Sequence, residues 1–290
     1  MAHPTTTNVR SSDGVELAVH DFGGDGPTIL FAHATGFHGM VWAPIIDELG
    51  PDFHSVSVDL RGHGDSGIPH HGSFDWSGFA DDVEAVIAHL GAPRPLFGVG
   101  HSKGGAALLL AEQRRPGTFV GMYLFEPIVF HAEARSRSAS MAESPLAVGA
   151  RRRREVFASR DEAYQNYASK PPLDALDPRA LWAYVDHGFA DLDDGSVRLK
   201  CRGEHEAAVY SMSAGHDAFD HLERVRCPVT VAAGALSDGI PAALAEPIAS
   251  GLPAGTFERH TQLGHFGPLE APELIAERIR SAFSPTTTPR

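Results

Sequence analysis

The chain has 290 residues, of which 42% are apolar and 21% charged, and its formal net charge at pH 7 is −13. These values fit one large α/β domain and disfavour a nucleic-acid-binding surface, which needs concentrated Lys and Arg. Only two cysteines occur, Cys201 and Cys227, too few for a disulfide framework and without metal-ligand spacing, so we expect both to be reduced.

The sequence suggests neither a secretory signal at its start nor a membrane span. The first residues, MAHPTTTNVRSSDG, contain neither a basic n-region nor an apolar h-region. No window approaches the roughly 18 apolar residues of a membrane span. We therefore expect a cytoplasmic protein without membrane contact. Both ends, MAHPTTT and SPTTTPR, are polar and rich in Thr and Pro, which predicts fraying.

Short β-branched or apolar runs alternate with helical patterns along most of the chain. This alternation predicts an α/β protein with a mostly parallel central sheet and helices on both faces. The predicted strands cover residues 15–22, 27–33, 53–59, 95–101, 119–126, 228–234 and 255–260. The predicted helices cover residues 41–49, 76–90, 103–114, 241–250 and 270–283.

The alternation lapses from about residue 131 to 220, where the sequence is helical and loop-like. We predict a core built from residues 1–130 and 221–290, and a mainly helical cap insertion over 131–220 that acts as a lid. Its aromatic residues either wall an apolar pocket or hold the lid together internally. These residues are Phe157, Tyr164, Tyr167, Trp182, Tyr184 and Phe189.

Two charged stretches favour a structural interpretation over a functional one. The basic run Arg151 to Arg154 is typical of a solvated helix face, with contact to an anionic ligand as the less favoured alternative. In DLRGHGDSG, His63 and Asp65 are two residues apart and have no third partner, so they make a poor metal site. No metal site is predicted.

The segment GHSKGG places Ser102 between Gly100 and Gly104, after a predicted strand and before a predicted helix. A sharp strand-to-helix turn of this kind strains the serine backbone, raises the hydroxyl above the sheet and needs small neighbours. We therefore predict that Ser102 is a nucleophile rather than a helix N-cap.

A serine hydroxyl needs a base, and the base needs a carboxylate that fixes its tautomer. His265, in QLGHFGPLE after the last predicted strand, is the predicted base. Two carboxylates compete for the third position. Asp238 follows the penultimate strand and is favoured, because it fits the chain order Ser, Asp, His. Glu126, at the end of the strand after the nucleophile helix, is the alternative acid.

Attack on a carbonyl places negative charge on its oxygen, which preorganised N–H groups must meet. We predict the backbone N–H of Lys103 as one oxyanion donor and that of Thr35, in HATGF, as the other. The Lys103 side chain is expected to point to solvent.

Taken together, HATGF, DLRGHGDS, GHSKGG, GALSD and LGHFGPLEAPE resemble the motifs of the α/β-hydrolase superfamily in the same order. The resemblance covers nearly the whole chain outside the insertion. It implies a Ser-His-acid triad and no cofactor. Ser102 disfavours epoxide hydrolases and haloalkane dehalogenases, which carry aspartate there. Ala34 departs from the usual oxyanion-loop glycine, and Glu126 matches the acid position of a subset that includes some lactonases.

The expected function is therefore hydrolysis of a carboxylic ester of a small or medium, mainly apolar substrate through an acyl-enzyme. A lactonase is the first alternative, and a C–C bond hydrolase or perhydrolase-like enzyme the second. A non-catalytic ligand receptor on the same scaffold is the alternative from another class. The expected partner is a small ester or lactone rather than nucleic acid or membrane, and the sequence leaves a homodimer open.

Overall fold

The computed structural model describes residues 4–140 and 144–284. Its strands are β1 (Thr5–Arg10), β2 (Glu16–Asp21), β3 (Thr28–Ala32), β4 (His54–Val58), β5 (Leu96–His101), β6 (Gly121–Phe125), β7 (Val156–Phe157), β8 (Phe189–Asp191), β9 (Val197–Leu199), β10 (Val229–Gly234) and β11 (Gly255–His260). Within the described residues, an eight-stranded sheet has the order β1-β2-β4-β3-β5-β6-β10-β11, and β7-β9-β8 form a small second sheet. From β4 to β11 the large sheet is parallel, while β1 and β2 are antiparallel.

Helices cover both faces of the large sheet because its strands are apolar on both sides. The helices are α1 (Ala43–Leu49), α2 (Trp76–His89), α3 (Lys103–Arg114), α4 (Ala132–Ser140), α5 (Pro145–Arg151), α6 (Arg160–Ala168), α7 (Pro178–Gly188), α8 (Gly203–Ser211), α9 (Ile240–Gly251), α10 (Gly267–Glu270) and α11 (Pro272–Phe283). In β3, Leu30 belongs to a core cluster with α2, α3 and α9, whereas Ile29 and Phe31 belong to a second cluster with α1 and α11. This is the two-residue alternation of a strand buried on both faces.

The predicted fold class is confirmed, and one local expectation is wrong. Residues 5–7 were expected to fray but belong to β1, whose backbone pairs with β2 along six residues. Residues 1–3 and 285–290 of the ends expected to fray lie outside the described residues. The segment between β6 and β10 is mainly helical, yet it also contains the three short strands β7, β8 and β9. Strands of two or three residues are too short to show a two-residue alternation, so the sequence did not predict them.

The insertion packs mainly on the core, although Ala147, Ala150 and Ala207 form a small apolar cluster within the insertion itself. Tyr184 of α7 and Phe189 of β8 belong to the same apolar cluster as Phe31 of β3. The division at residues 131 and 220 and the role of a lid stay predictions. Among the described residues, no helix has the length and apolar character that a bilayer crossing requires.

Candidate active site

The turn between β5 and α3, which we call the elbow, holds Ser102 in a strained backbone conformation. Its φ of 54° and ψ of −114° lie in a region that residues with a side chain rarely adopt. Ser102 Oγ forms no hydrogen bond with any described residue, and the residue is 5% exposed. The serine hydroxyl is therefore held at the carboxyl edge of the sheet without a competing partner.

The elbow requires the glycine at position 104 because the start of α3 is pressed against the end of β3. A Cβ on Gly104 would lie 2.1 Å from the carbonyl oxygen of Ala32 and 2.8 Å from that of His33. Backbone atoms cannot give way by that much. The close approach brings the first turn of α3 next to the loop that contains Thr35.

His265 lies in the loop between β11 and α10, and its ring is held by a carboxylate. Its Nδ1 donates a hydrogen bond of 2.6 Å to Oε2 of Glu126. This bond fixes the tautomer in which Nε2 carries no proton and can accept one. The His265 ring also lies 5.0 Å, centroid to centroid, from the ring of His101, the residue before Ser102.

The carboxylate against His265 is the alternative acid, Glu126, and not the favoured Asp238. Glu126 follows β6, is fully buried and has a φ of 44°. Its Oε1 accepts the Gly234 N–H at 3.0 Å, and its Oε2 accepts the Ser237 hydroxyl at 2.9 Å. Asp238 is exposed and pairs with no described residue.

The loop after β10 explains why Glu126, and not Asp238, contacts His265. Both carboxylates follow adjacent strands, β6 and β10, so chain order alone placed either of them at the same edge. The loop after β10 turns Ser237 inward and leaves Asp238 in solvent. That loop therefore contributes a hydrogen-bond donor to Glu126 rather than a carboxylate to His265.

Sequence reasoning missed two positioning residues, Ser237 and His101. His101 Nε2 donates to the backbone carbonyl of His265 at 2.8 Å, which anchors the His265 loop to the elbow. Burial lowers the pKa of His101 well below its usual range, so the ring stays neutral. A histidine directly before Ser102 was the available signal, but its partner is 164 positions away.

The two predicted oxyanion donors lie on the two elements that meet at Gly104. The N–H of Lys103 is the first of α3, and no preceding helical turn offers it an acceptor. Thr35 is buried in the loop after β3, and its N–H donates to no described residue. Both donors are thus available to a ligand oxygen, although their role stays a prediction.

The Lys103 side chain does not point to solvent as expected; it is fully buried. Its Nζ lies 3.2 Å from the His63 ring nitrogens and 4.8 Å from the centre of the Phe79 ring. Because His63 Nδ1 donates to the Arg61 carbonyl, its Nε2 is the nitrogen that accepts from Lys103. Desolvation lowers the pKa of Lys103 to about 7.

The DLRGHGDSG loop makes the contacts of a structural element. Asp59 accepts the N–H groups of Gly39 at 2.6 Å and Asp65 at 2.8 Å. Asp65 pairs with Lys200 at 2.6 Å, away from His63. No group of three or more His, Cys, Asp or Glu side chains within residues 4–140 and 144–284 is arranged to hold a metal ion.

A cavity of about 480 Å³, which we call the cap pocket, separates the insertion from the core beside the candidate site. Thr35 and Phe266 lie on its wall, whereas Ser102 and His265 do not. Of the aromatic residues expected to wall a pocket, Tyr167 and Tyr184 do so. The others pack within the insertion: Phe157 against Phe189, and Tyr164 on Trp182.

Comparison with known proteins gives one family over most of the chain. The model of the Alpha/beta hydrolase family matches residues 29–278. Probable oxidoreductase EphD of Mycobacterium bovis is 34% identical over 111 residues, which are 38% of this chain and 19% of that protein. The chain thus corresponds to about a fifth of the length of that relative.

Two further proteins match along nearly their whole length. Pimeloyl-[acyl-carrier protein] methyl ester esterase of Vibrio vulnificus is 23% identical over 89% of this chain and 94% of that protein. The crystal structure of E-2-(acetamidomethylene)succinate hydrolase superposes with a TM-score of 0.83 at 21% identity, covering 98% of this chain and 100% of the other. At that identity the superposition shows a shared fold.

Proposed function

Because the chain belongs to the α/β-hydrolase family, we propose that it is a serine hydrolase that cleaves a carboxylic ester of a small or medium, mainly apolar substrate. The observation that carries the proposal is the 2.6 Å hydrogen bond from His265 to the buried Glu126, beside an unpartnered Ser102 in a strained turn. The likeness to a methyl ester esterase over most of both chains also supports it.

In the proposed mechanism Ser102 Oγ attacks the ester carbonyl carbon while His265 Nε2 takes its proton. The N–H groups of Lys103 and Thr35 stabilise the tetrahedral oxyanion. Glu126 stabilises the imidazolium, which then protonates the leaving alcohol as the carbon–oxygen bond breaks. Water, deprotonated by His265, hydrolyses the acyl-enzyme and restores Ser102. No hydrogen bond joins Ser102 to His265 among the described residues; in unliganded enzymes such catalytic hydrogen bonds are often long and tighten in the complex with substrate.

A fluorophosphonate label followed by peptide mapping tests this proposal directly. We expect the label on Ser102 in the native protein, and hydrolysis of p-nitrophenyl butyrate that falls by roughly 10³-fold or more in Ser102→Ala. Ser250→Ala, at an exposed serine of α9, is the matched control and should behave as the native protein. An unlabelled Ser102, or equal hydrolysis by the native protein and Ser102→Ala, would overturn the proposal.

A lactonase is the second candidate, and the position of the acid favours it. Glu126 occupies the acid position of a subset of the superfamily that includes some lactonases, and it is the carboxylate that contacts His265. Lactone opening by the same chemistry releases a proton without a separate alcohol. Proton release from a panel of small and macrocyclic lactones, measured in weak buffer against Ser102→Ala, would support this candidate; no release from any of them would remove it.

A further inference from the structure

The cap pocket has a charge balance opposite to that of the chain as a whole. The chain has a net charge of −13. The pocket is lined by three cationic side chains, Arg153, Arg154 and Lys170, and by a single carboxylate, Glu206. Arg154 is neutralised by Glu162 at 2.7 Å, whereas among the described residues Lys170 bonds only the neutral amide oxygen of Asn166, at 2.6 Å. Because Arg153 pairs with Glu206 and Arg154 with Glu162, the pocket keeps an excess of one positive charge, that of Lys170.

Arg153 is turned into the pocket wall, unlike the solvated helix face expected for Arg151 to Arg154. Its Nη1 donates to Glu206 Oε2 at 2.5 Å, and its Nη2 donates to the hydroxyls of Tyr167 and Tyr184. A guanidinium has five N–H donors. One donor on Nη1 and the donor on Nε thus have no partner among the described residues. This fixed arginine can still bind an anion.

The Arg153–Glu206 pair lies directly against the oxyanion loop. A Cβ on Gly36 would lie 2.5 Å from Oε1 of Glu206 and 3.5 Å from Nη1 of Arg153. Gly36, with a φ of 83°, adjoins Thr35, whose N–H is a proposed oxyanion donor. An ester whose carbonyl oxygen reaches Thr35 therefore extends, within a few bonds, toward the Arg153–Glu206 pair, in which Glu206 Oε1 is the nearer atom to Gly36.

From this juxtaposition we infer that the substrate carries a carboxylate besides its ester, and that Arg153 and Lys170 select it. The inference rests on the proposed function and names its substrate class. Arg153 binds carboxylates in a planar, paired geometry, and the tyrosine hydroxyls hold it in place without cancelling its charge. Glu206 competes for the same guanidinium, so it limits the affinity for the anion.

Matched pairs of esters test the inference. On the acid side, p-nitrophenyl hemiglutarate is compared with p-nitrophenyl pentanoate; on the alcohol side, the butyrate ester of p-hydroxybenzoate is compared with that of p-hydroxybenzamide. We expect kcat/KM to favour the anionic ester of at least one pair by about 10- to 100-fold at low salt, mainly through KM. A preference for the neutral ester in both pairs overturns the inference.

Two variants, one that removes a positive charge and one that removes a negative charge, separate anion recognition by Arg153 from a merely structural role. Arg153→Gln should abolish the anionic preference, whereas Glu206→Gln should increase it several-fold, because the competing carboxylate is gone. If the pair is only structural, both variants should lose kcat/KM for the anionic and the neutral esters alike, and the ratio between the two esters should not change. Arg152→Gln, at the exposed neighbouring arginine, is the control and should keep the native preference.

Binding to Ser102→Ala keeps this inference distinguishable from the proposed function. Calorimetric titration with glutarate and with its neutral diamide should show Arg153-dependent binding of the dianion alone. If no ester is hydrolysed but glutarate binds in this way, the proposed function fails and the anion site stands. If neutral esters are hydrolysed and glutarate does not bind, the proposed function stands and the inference fails.

Discussion

The elbow and the cap pocket lie side by side, yet different interactions position their functional groups. At the elbow, backbone atoms set the geometry: Gly104 lets α3 approach the carbonyl of Ala32, and Ser102 is strained as a result. In the cap pocket, side chains set it, because Arg153 is held by Glu206, Tyr167 and Tyr184 from separate helices.

This difference indicates how each region tolerates change. A backbone contact at van der Waals distance has no flexible part, so a single added methyl group must distort it. An ion pair between side chains can be replaced or re-partnered while the helices stay in place. We therefore expect substitutions at the elbow to act on folding or on kcat, and substitutions in the cap pocket to act on the choice of substrate.

The largest effect is expected for the acid that orients His265. Glu126→Gln keeps an acceptor for the Gly234 N–H but presents an amide N–H to His265 Nδ1. That donor favours the tautomer in which Nε2 carries the ring proton, so Nε2 cannot act as a base. By analogy with other triads, kcat for ester hydrolysis should fall by about 10⁴-fold. Asp238→Asn is the matched control and should change kcat little. Steady-state kinetics that show the larger loss in Asp238→Asn would contradict this assignment.

The backbone contact at the elbow is tested by Gly104→Ala. Because the new Cβ would clash with the Ala32 carbonyl, we expect the free energy of unfolding to fall by about 3 kcal/mol. Gly149→Ala in α5 provides the contrast, since a Cβ there meets nothing within 4 Å. It should stabilise the protein by roughly 0.5 to 1 kcal/mol. Urea denaturation measures both, and equal effects would remove the distinction.

The buried side chain of Lys103 makes the stability of the elbow depend on pH. Its pKa of about 7 in the folded state lies below the roughly 10.4 of an exposed lysine. Above pH 7 the unfolded chain binds the extra proton, so the contribution of Lys103 to stability rises with pH up to about 10. Below pH 7 both states are protonated and the burial of the charge costs stability in full.

Lys103→Met should therefore stabilise the protein most at pH 6. Its advantage over the native protein should shrink above pH 7 by up to about 1.4 kcal/mol per pH unit. Unfolding free energies at pH 6, 7.5 and 9 measure this difference. A pH-independent advantage of Lys103→Met would mean that Lys103 does not titrate in this range.

The smallest effect is expected for Ser237, which donates one of the hydrogen bonds to Glu126. Ser237→Ala leaves the Gly234 N–H and His265 in place. Loss of a single hydrogen bond to a charged group should lower kcat by roughly 10-fold, with KM unchanged. An effect as large as that of Glu126→Gln would show that Ser237 is needed to place the acid rather than to assist it.

The sequence by itself determined the sheet, the position of Ser102 in the elbow and the loop of His265. These features depend on local patterns: alternation of apolar residues along strands, a helical stripe, and glycines around a serine between a strand and a helix. Each of these patterns lies within a short continuous stretch of the sequence. The predicted ranges of β5 and α3 accordingly agree with the structure to within one residue.

Only the tertiary structure decided which carboxylate holds His265, where the Lys103 side chain lies and which arginine of the basic run faces the pocket. Glu126 meets His265 across 139 positions of the chain, and Arg153 meets Glu206 across 53. Such contacts depend on the direction of a side chain and on what buries it. Those are properties of neighbouring elements, so no short stretch of sequence encodes them.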